Sequence, residues 1–218
     1  MKTLKNDWLT WIIILSPLVL IVSCWSKFPD QIPTHFGLDG QPDDYSGKAF
    51  GLLMLPGINV LIYFLFLVLP KIDPRGKNYQ LFADKYRIIR IVLHTFFTFI
   101  FFLTAFYTLG YHFNLSLIVL YGVLTMLLLL GNYMGNVRPN FFIGVRTAWT
   151  LSSEEVWIKT HRLTAKIWVF GSLAMMVILP FIPQPDYIFL PFIGIISIIP
   201  IVYSYLIFKK LKSTKHEL

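Results

Sequence analysis

The polar and apolar positions of this chain fall into long apolar runs separated by short polar stretches. Six runs are long enough, or nearly so, to cross a bilayer core, which takes about 20 helical residues. They cover 8–25, 50–69, 88–109, 115–133, 165–182 and 187–208. Pro56 and Pro200 lie inside two of them, where neighbouring helices can accommodate a proline. Strict apolar–polar alternation is absent, which argues against a membrane barrel. The pattern therefore predicts an all-α membrane protein with six transmembrane helices. The connections are short and show no repeat or flexible linker, so 1–218 reads as a single polytopic membrane domain. Within it, 1–70 forms a two-span unit with an outer loop at 26–49. Residues 88–218 form a four-span unit with a polar signature loop at 134–166.

Composition agrees. The chain is 56% hydrophobic and only 14% charged, too little charge to cover a soluble surface. The single cysteine, Cys24, excludes an intramolecular disulfide and a cysteine-based zinc cluster. The net charge of +8 would suit nucleic acid if it were spread over one face, but it is distributed by side of the membrane. Every lysine and arginine except Lys27 and Lys48 falls in the N-terminus, in or at the edge of the segment between spans two and three, in or at the edge of the segment between spans four and five, or in the C-terminal tail. Cations near helix ends are retained in the cytoplasm, so the topology is N-in/C-in. The excess then reads as a topology signal and an attraction to anionic lipid, with no direct nucleic-acid binding. The chain is thus expected to be a multi-pass membrane protein with both termini in the cytoplasm.

The first span admits another reading. Ile21-Val22-Ser23-Cys24, after a basic start and an apolar run, looks like the small-residue box before a lipoprotein cysteine. The run is long for a signal segment and further spans follow, so a retained helix is expected.

The outer loop reads as one structured extracytoplasmic element. Ile32-Pro33-Thr34-His35-Phe36 is too broken by proline for a helix and suits an edge strand. Asp39-Gly40 and Gln41-Pro42-Asp43 carry turn chemistry. His35, Asp39, Asp43 and Asp44 lack a calcium-loop spacing, so no metal site is assigned. As a surface, His35, Phe36, Asp39 and Asp43 suit docking of an external cationic or amphipathic peptide.

Within the spans, Arg90 is close enough to the cytoplasmic edge to snorkel. His94 is deeper, and reads as a neutral histidine hydrogen-bonded to another helix rather than a titrating group. Asn59 reads likewise as an interhelical contact. Gly131 and Gly135 share one helical face, as do Asn132 and Asn136, favouring close packing and interhelical amide bonds.

The stretch from Gly131 to Lys166 is the longest that is neither lipid-like nor generically polar. Pro139 and Gly144 break the helix after span four. Ser152 with Glu155 forms a capping-box pattern that restarts one, an interfacial helix leading into span five. There Trp157 and His161 share a face, as do Glu155 and Lys159. Trp149 and Trp157 suit the headgroup zone. Arg146 is within sequence reach of Glu154 or Glu155, which would pin the loop.

These residues carry a resemblance. Gly131-Asn132, the run Asn140 to Thr147, Trp149-Thr150-Leu151, Val156-Trp157 and Thr160-His161-Arg162 resemble the signature of the SdpI family. The outer loop, from Pro29 through His35-Phe36 to Ser46-Gly47-Lys48, resembles the N-terminal domain of uncharacterised function that accompanies it. One departure is Ala148, where the family usually has proline. The resemblance implies a multi-pass protein of the bacterial cytoplasmic membrane that gives immunity to a secreted toxic peptide. It further implies a receptor that holds a small winged-helix autorepressor at the membrane. The partner-binding residues would then be Asn140, Gly144, Arg146, Trp149, Trp157, His161 and Arg162 on the cytoplasmic side. No cofactor and no catalytic residue is assigned. An enzyme using His161 with Glu154 or Glu155 lacks any supporting motif. A transporter or exporter of a peptide or small molecule is the alternative, and His94 as the sole deep ionisable group argues against ion coupling. Oligomeric state is not legible.

Overall fold

A computed structural model describes residues 7–37 and 40–216. The chain runs α1 (Trp8–Cys24), β1 (Gln31–Phe36), β2 (Pro42–Gly47), α2 (Lys48–Ile72), α3 (Ala83–Thr108), α4 (Leu115–Met134), α5 (Ala148–Ser152), α6 (Glu154–Ile178) and α7 (Asp186–His216). A 3-10 segment, Gly76–Phe82, leads into α3. Among the described residues six helices are long and apolar enough to span a membrane, as the apolar runs predict. The helix expected to enter span five does so without a break, since α6 starts at Glu154. Prolines 17, 191 and 200 sit inside helices. Large apolar side chains face outward along the spans, Val19, Val22, Leu61, Val177 and Ile198 among them, which suits lipid rather than water.

The chain divides into two compact units, 1–66 with 90–123 and 67–89 with 124–218. The division thus runs through spans, whereas the charge and loop pattern placed it between spans two and three.

In the first unit a hairpin stands on the outer ends of the helices. The two strands pair antiparallel, with Ile32 opposite Ser46 and His35 opposite Asp44, and with irregular register between Pro33 and Phe36. β2 escaped the sequence reading because Pro42-Asp43-Asp44 has poor strand propensity. The turn is closed by Gly40, whose φ of 73 is a left-handed value that glycine adopts without strain. Ile32 fixes the hairpin to the helices by packing into a core with Ile21, Phe28, Leu52, Phe101 and Ala105. Gly51 permits that approach: a Cβ there would lie 2.6 Å from the Ile32 Cβ.

Below this core the same helices share polar groups that lipid cannot satisfy. His94 Nδ1 lies 2.7 Å from Asn59 Oδ1. The Asn59 amide donates to the His94 carbonyl and to Thr98 Oγ1. Thr98 donates in turn to the Ile13 carbonyl on α1. One asparagine thus links helices as the sequence suggested, at a typical strength of about 0.6 kcal/mol per bond. Arg90, expected to snorkel, is instead 3% exposed and donates to Asp7 Oδ2 at 2.8 Å. Asp7, just before α1, also accepts from the Tyr63 hydroxyl. An interior carboxylate on another element removes the need to reach for water.

Candidate functional site

The signature loop lies in the second unit, and one residue organises it. Asn140 is fully buried. Its Oδ1 accepts from the backbone N–H groups of Phe142 and Ile143 at 2.9 and 2.6 Å, and its amide donates to the carbonyls of Arg138 and Ile143. Asparagine suits this task because it combines acceptor and donor on one short side chain. A turn of irregular backbone is thereby satisfied internally, as buried backbone requires.

The loop rests on the segment before α3. Asp73 Oδ1 accepts from Arg75 N, while its Oδ2 accepts from the Tyr79 hydroxyl and from Phe141 N at 2.9 Å. Asn78 donates to the Pro139 carbonyl, and Arg75 donates to the Leu151 carbonyl while lying over the Phe141 ring. None of Asp73, Arg75, Asn78 and Tyr79 was picked out from sequence. The available signal was a compact polar turn, Asp73-Pro74-Arg75-Gly76, between two apolar runs.

From the other side α6 supplies Trp157 and His161, both fully buried. Their rings stack with centroids 4.0 Å apart, one helical turn separating them as the spacing predicts. Trp157 Nε1 donates to the Val137 carbonyl, so this tryptophan is an interior strut and not the headgroup anchor expected of it. Val145 N–H donates to His161 Nε2 at 3.1 Å. That bond makes Nε2 the acceptor, leaving Nδ1–H to donate to the Trp157 carbonyl 2.9 Å away. The ring is therefore neutral, with both nitrogens engaged. Gly144, at φ 108, brings the loop against that ring: a Cβ there would sit 2.2 Å from Nε2.

Two local expectations are corrected. The capping box is formed by Thr147 and Thr150 at the start of α5, and Ser153, not Ser152, caps α6 by accepting from Val156 N. Ser152 is consumed as the last residue of α5, so the cap moves one residue on. Arg146 does not pair with Glu154 or Glu155. It donates to the Phe141 carbonyl, and Glu155 is taken by Lys159 at 2.7 Å. Ala148, the departure from the family pattern, is the first residue of α5. There proline is favoured because that N–H has no intrahelical partner.

Thr147 also meets Ser204 of α7 at 3.0 Å between hydroxyl oxygens, and Trp149 packs on Tyr205. Gly131 lets α4 approach α6, since a Cβ there would lie 2.8 Å from the Trp168 Cβ, whereas at Gly135 a Cβ would meet Ala165 at an ordinary 3.7 Å. Asn132 and Asn136 are exposed and make no interhelical amide bond.

The seven residues expected on the inner side therefore divide. Asn140, Gly144, Trp157 and His161 build the loop from within. Arg146 and Arg162 are exposed and Trp149 is half-buried, and these three alone offer a surface. On the hairpin, His35 and Asp43 are exposed and pair at 2.5 Å, and Phe36 meets Tyr107 edge-on. Asp39 lies outside the described residues. Among the described residues no three His, Cys, Asp or Glu side chains converge as a metal site.

The fold and loop define a class: a six-span helical membrane protein with a small two-stranded hairpin and an internally bonded polar loop between spans four and five. Residues 136–204 match the model of the SdpI/YfhL protein family, and residues 12–60 match a domain of unknown function, DUF1648. The resemblance read from the residues is borne out, and this is a multi-pass protein of the bacterial cytoplasmic membrane. The chain is 27% identical to "Immunity protein SdpI" of Bacillus subtilis over 97% of its own length and 100% of the relative's. No solved structure matches it.

Proposed function

We propose that the chain is a membrane immunity protein protecting its cell from a secreted toxic peptide, and that its signature loop docks a small winged-helix repressor when toxin is bound. The observation that carries the reading is the end-to-end similarity to Immunity protein SdpI, which takes in hairpin and loop alike. The hairpin, with His35, Phe36 and Asp43, meets the toxin, beside a groove lined by Pro33, Tyr45 and Tyr107. Arg146 and Trp149 form the inner docking surface, held in place by Asn140, Gly144, Trp157 and His161. Signalling then requires toxin to bind one arrangement of the helices more tightly than another.

The role is non-enzymatic. The one histidine of the loop is buried with both nitrogens bonded, so it is not free to act as a base toward a substrate.

Deleting the gene in its host and challenging the cells with peptide fractions from the host and its close relatives tests the first half. Sensitisation to one fraction, reversed by the intact gene, is expected; a deletion strain as resistant as its parent to every fraction would overturn it. Pull-down of soluble proteins from toxin-treated cells tests the second half. Recovery of a small DNA-binding protein with the intact chain, and its loss with Arg146→Ala and Trp149→Ala, is expected.

A further inference from the structure

A cleft of about 380 Å³ lies in the second unit, distinct from the loop's own hydrogen-bond network. Lys85, Arg138 and Arg162 line it together with a single carboxylate, Asp84. None of the three cationic side chains makes a hydrogen bond or ion pair with any described residue. The geometry is fixed from behind. Trp157 holds the Val137 carbonyl and Asn140 holds that of Arg138. Gly135, just past the end of α4, packs beside Arg162: a Cβ there would lie 3.9 Å from Arg162 Cα, an ordinary contact.

We propose that this cleft binds the headgroup of an anionic phospholipid of the phosphatidylglycerol type. Three unpaired cations against one acid give the cleft a surplus of two positive charges, which complements a phosphodiester. Its depth fits a headgroup. Gly135 to Arg138 follow directly on the end of α4 at Met134, while Asp84–Lys85 and Arg162 lie in the opening turns of α3 and α6. All are on the side that carries the cation excess. Leu81, at the rim and 69% exposed, offers an apolar surface to the start of an acyl chain. Asp84 and Asn136 complement the cations as hydrogen-bonding partners for the glycerol hydroxyls.

The test is lipid retention by the full-length protein purified in a neutral detergent, read by native mass spectrometry during titration with phosphatidylglycerol or phosphatidylcholine. One phosphatidylglycerol is expected to bind in preference to phosphatidylcholine. The Lys85→Gln/Arg138→Gln/Arg162→Gln variant is expected to lose roughly a hundredfold in affinity, since each cation near a headgroup contributes about a factor of five. Asp84→Asn, which removes the one repulsive charge, is expected to tighten binding. Lys209→Gln/Lys212→Gln, which removes charge from the exposed tail, is expected to leave it unchanged. Equal binding of the two lipids, an equal loss in the tail variant, or equally tight binding of soluble glycerol phosphate would each overturn the proposal. An acidic peptide that displaces phosphatidylglycerol at lower concentration than the lipid itself would overturn it in favour of a protein partner. The thermal transition of each variant without added lipid establishes that it is folded.

Discussion

Gly144→Ala tests the central geometry of the signature loop. The substitution adds one methyl group and would change little on an open surface. Here two costs arise. The backbone has φ 108, a region in which a residue with a Cβ is strained by about 1–3 kcal/mol. The new Cβ would also lie 2.2 Å from His161 Nε2, so the ring must turn and release the Val145 N–H. Orphaning that donor costs about 1–3 kcal/mol. The sum is about 2–6 kcal/mol, enough to destabilise the second unit heavily. The assay is the midpoint of thermal unfolding in detergent, by intrinsic fluorescence, with Gly135→Ala as control. A Cβ at Gly135 meets Ala165 at 3.7 Å, an ordinary contact, so its midpoint should stay close to that of the parent. A second comparison separates the two costs. In a His161→Ala background the clash is gone, and Gly144→Ala should then cost only the backbone part, about 1–3 kcal/mol. Parental stability in Gly144→Ala, or an undiminished cost in the His161→Ala background, would refute the reasoning.

Ala148→Pro should be neutral or stabilising by about 0.4–1 kcal/mol, because the preceding Thr147 already has ψ 165, an extended value compatible with a following proline; a lowered unfolding midpoint would contradict the assignment of Ala148 to the first helical position. Asp7→Ala should destabilise by about 3–5 kcal/mol by leaving Arg90 buried without its carboxylate, and Asp7→Leu/Arg90→Met should recover much of that loss in the same melting assay. Ile32→Ala should cost about 2–5 kcal/mol and expose the hairpin to externally added protease at concentrations the parent withstands. For sidedness, single cysteines at Tyr45 and Arg146 in a Cys24→Ser background should respond oppositely to a membrane-impermeant maleimide applied to intact cells, labelling at 45 and not at 146; the reverse pattern would overturn the N-in/C-in orientation.

The spans were legible because length and apolarity alone decide a transmembrane helix, and lipid removes the competing options. Pairs one helical turn apart were legible for the same geometric reason. Trp157 meets His161 and Lys159 meets Glu155 as their spacing requires. Partners distant in sequence were not. Arg90 read as a snorkelling side chain because nothing local indicates that Asp7, 83 residues away, would be its partner. Asp73 and Tyr79 were passed over, since their role depends on Phe141 N and Asn140 arriving from a later loop. Within the signature group, Trp157 and His161 were found but their burial was not. Tryptophan and histidine in a polar loop suggest a recognition surface, whereas here they are buried and the loop is built upon them. That distinction is set by tertiary packing, which sequence spacing does not encode.

The interleaving of the two units bears on the order of biosynthesis. A chain emerging from the ribosome delivers Asp7 long before Arg90, so the first helix enters the membrane with its carboxylate unmatched until the third span follows. The first unit can close once residue 123 has emerged. The second must hold 67–89 in reserve until α4, α6 and α7 arrive. At about 5–20 residues per second, the loop carrying Asn140 waits several seconds for Ser204 to reach Thr147. During that interval Thr147 and Trp149 are the groups a membrane quality-control protease or insertase would find without their α7 partners.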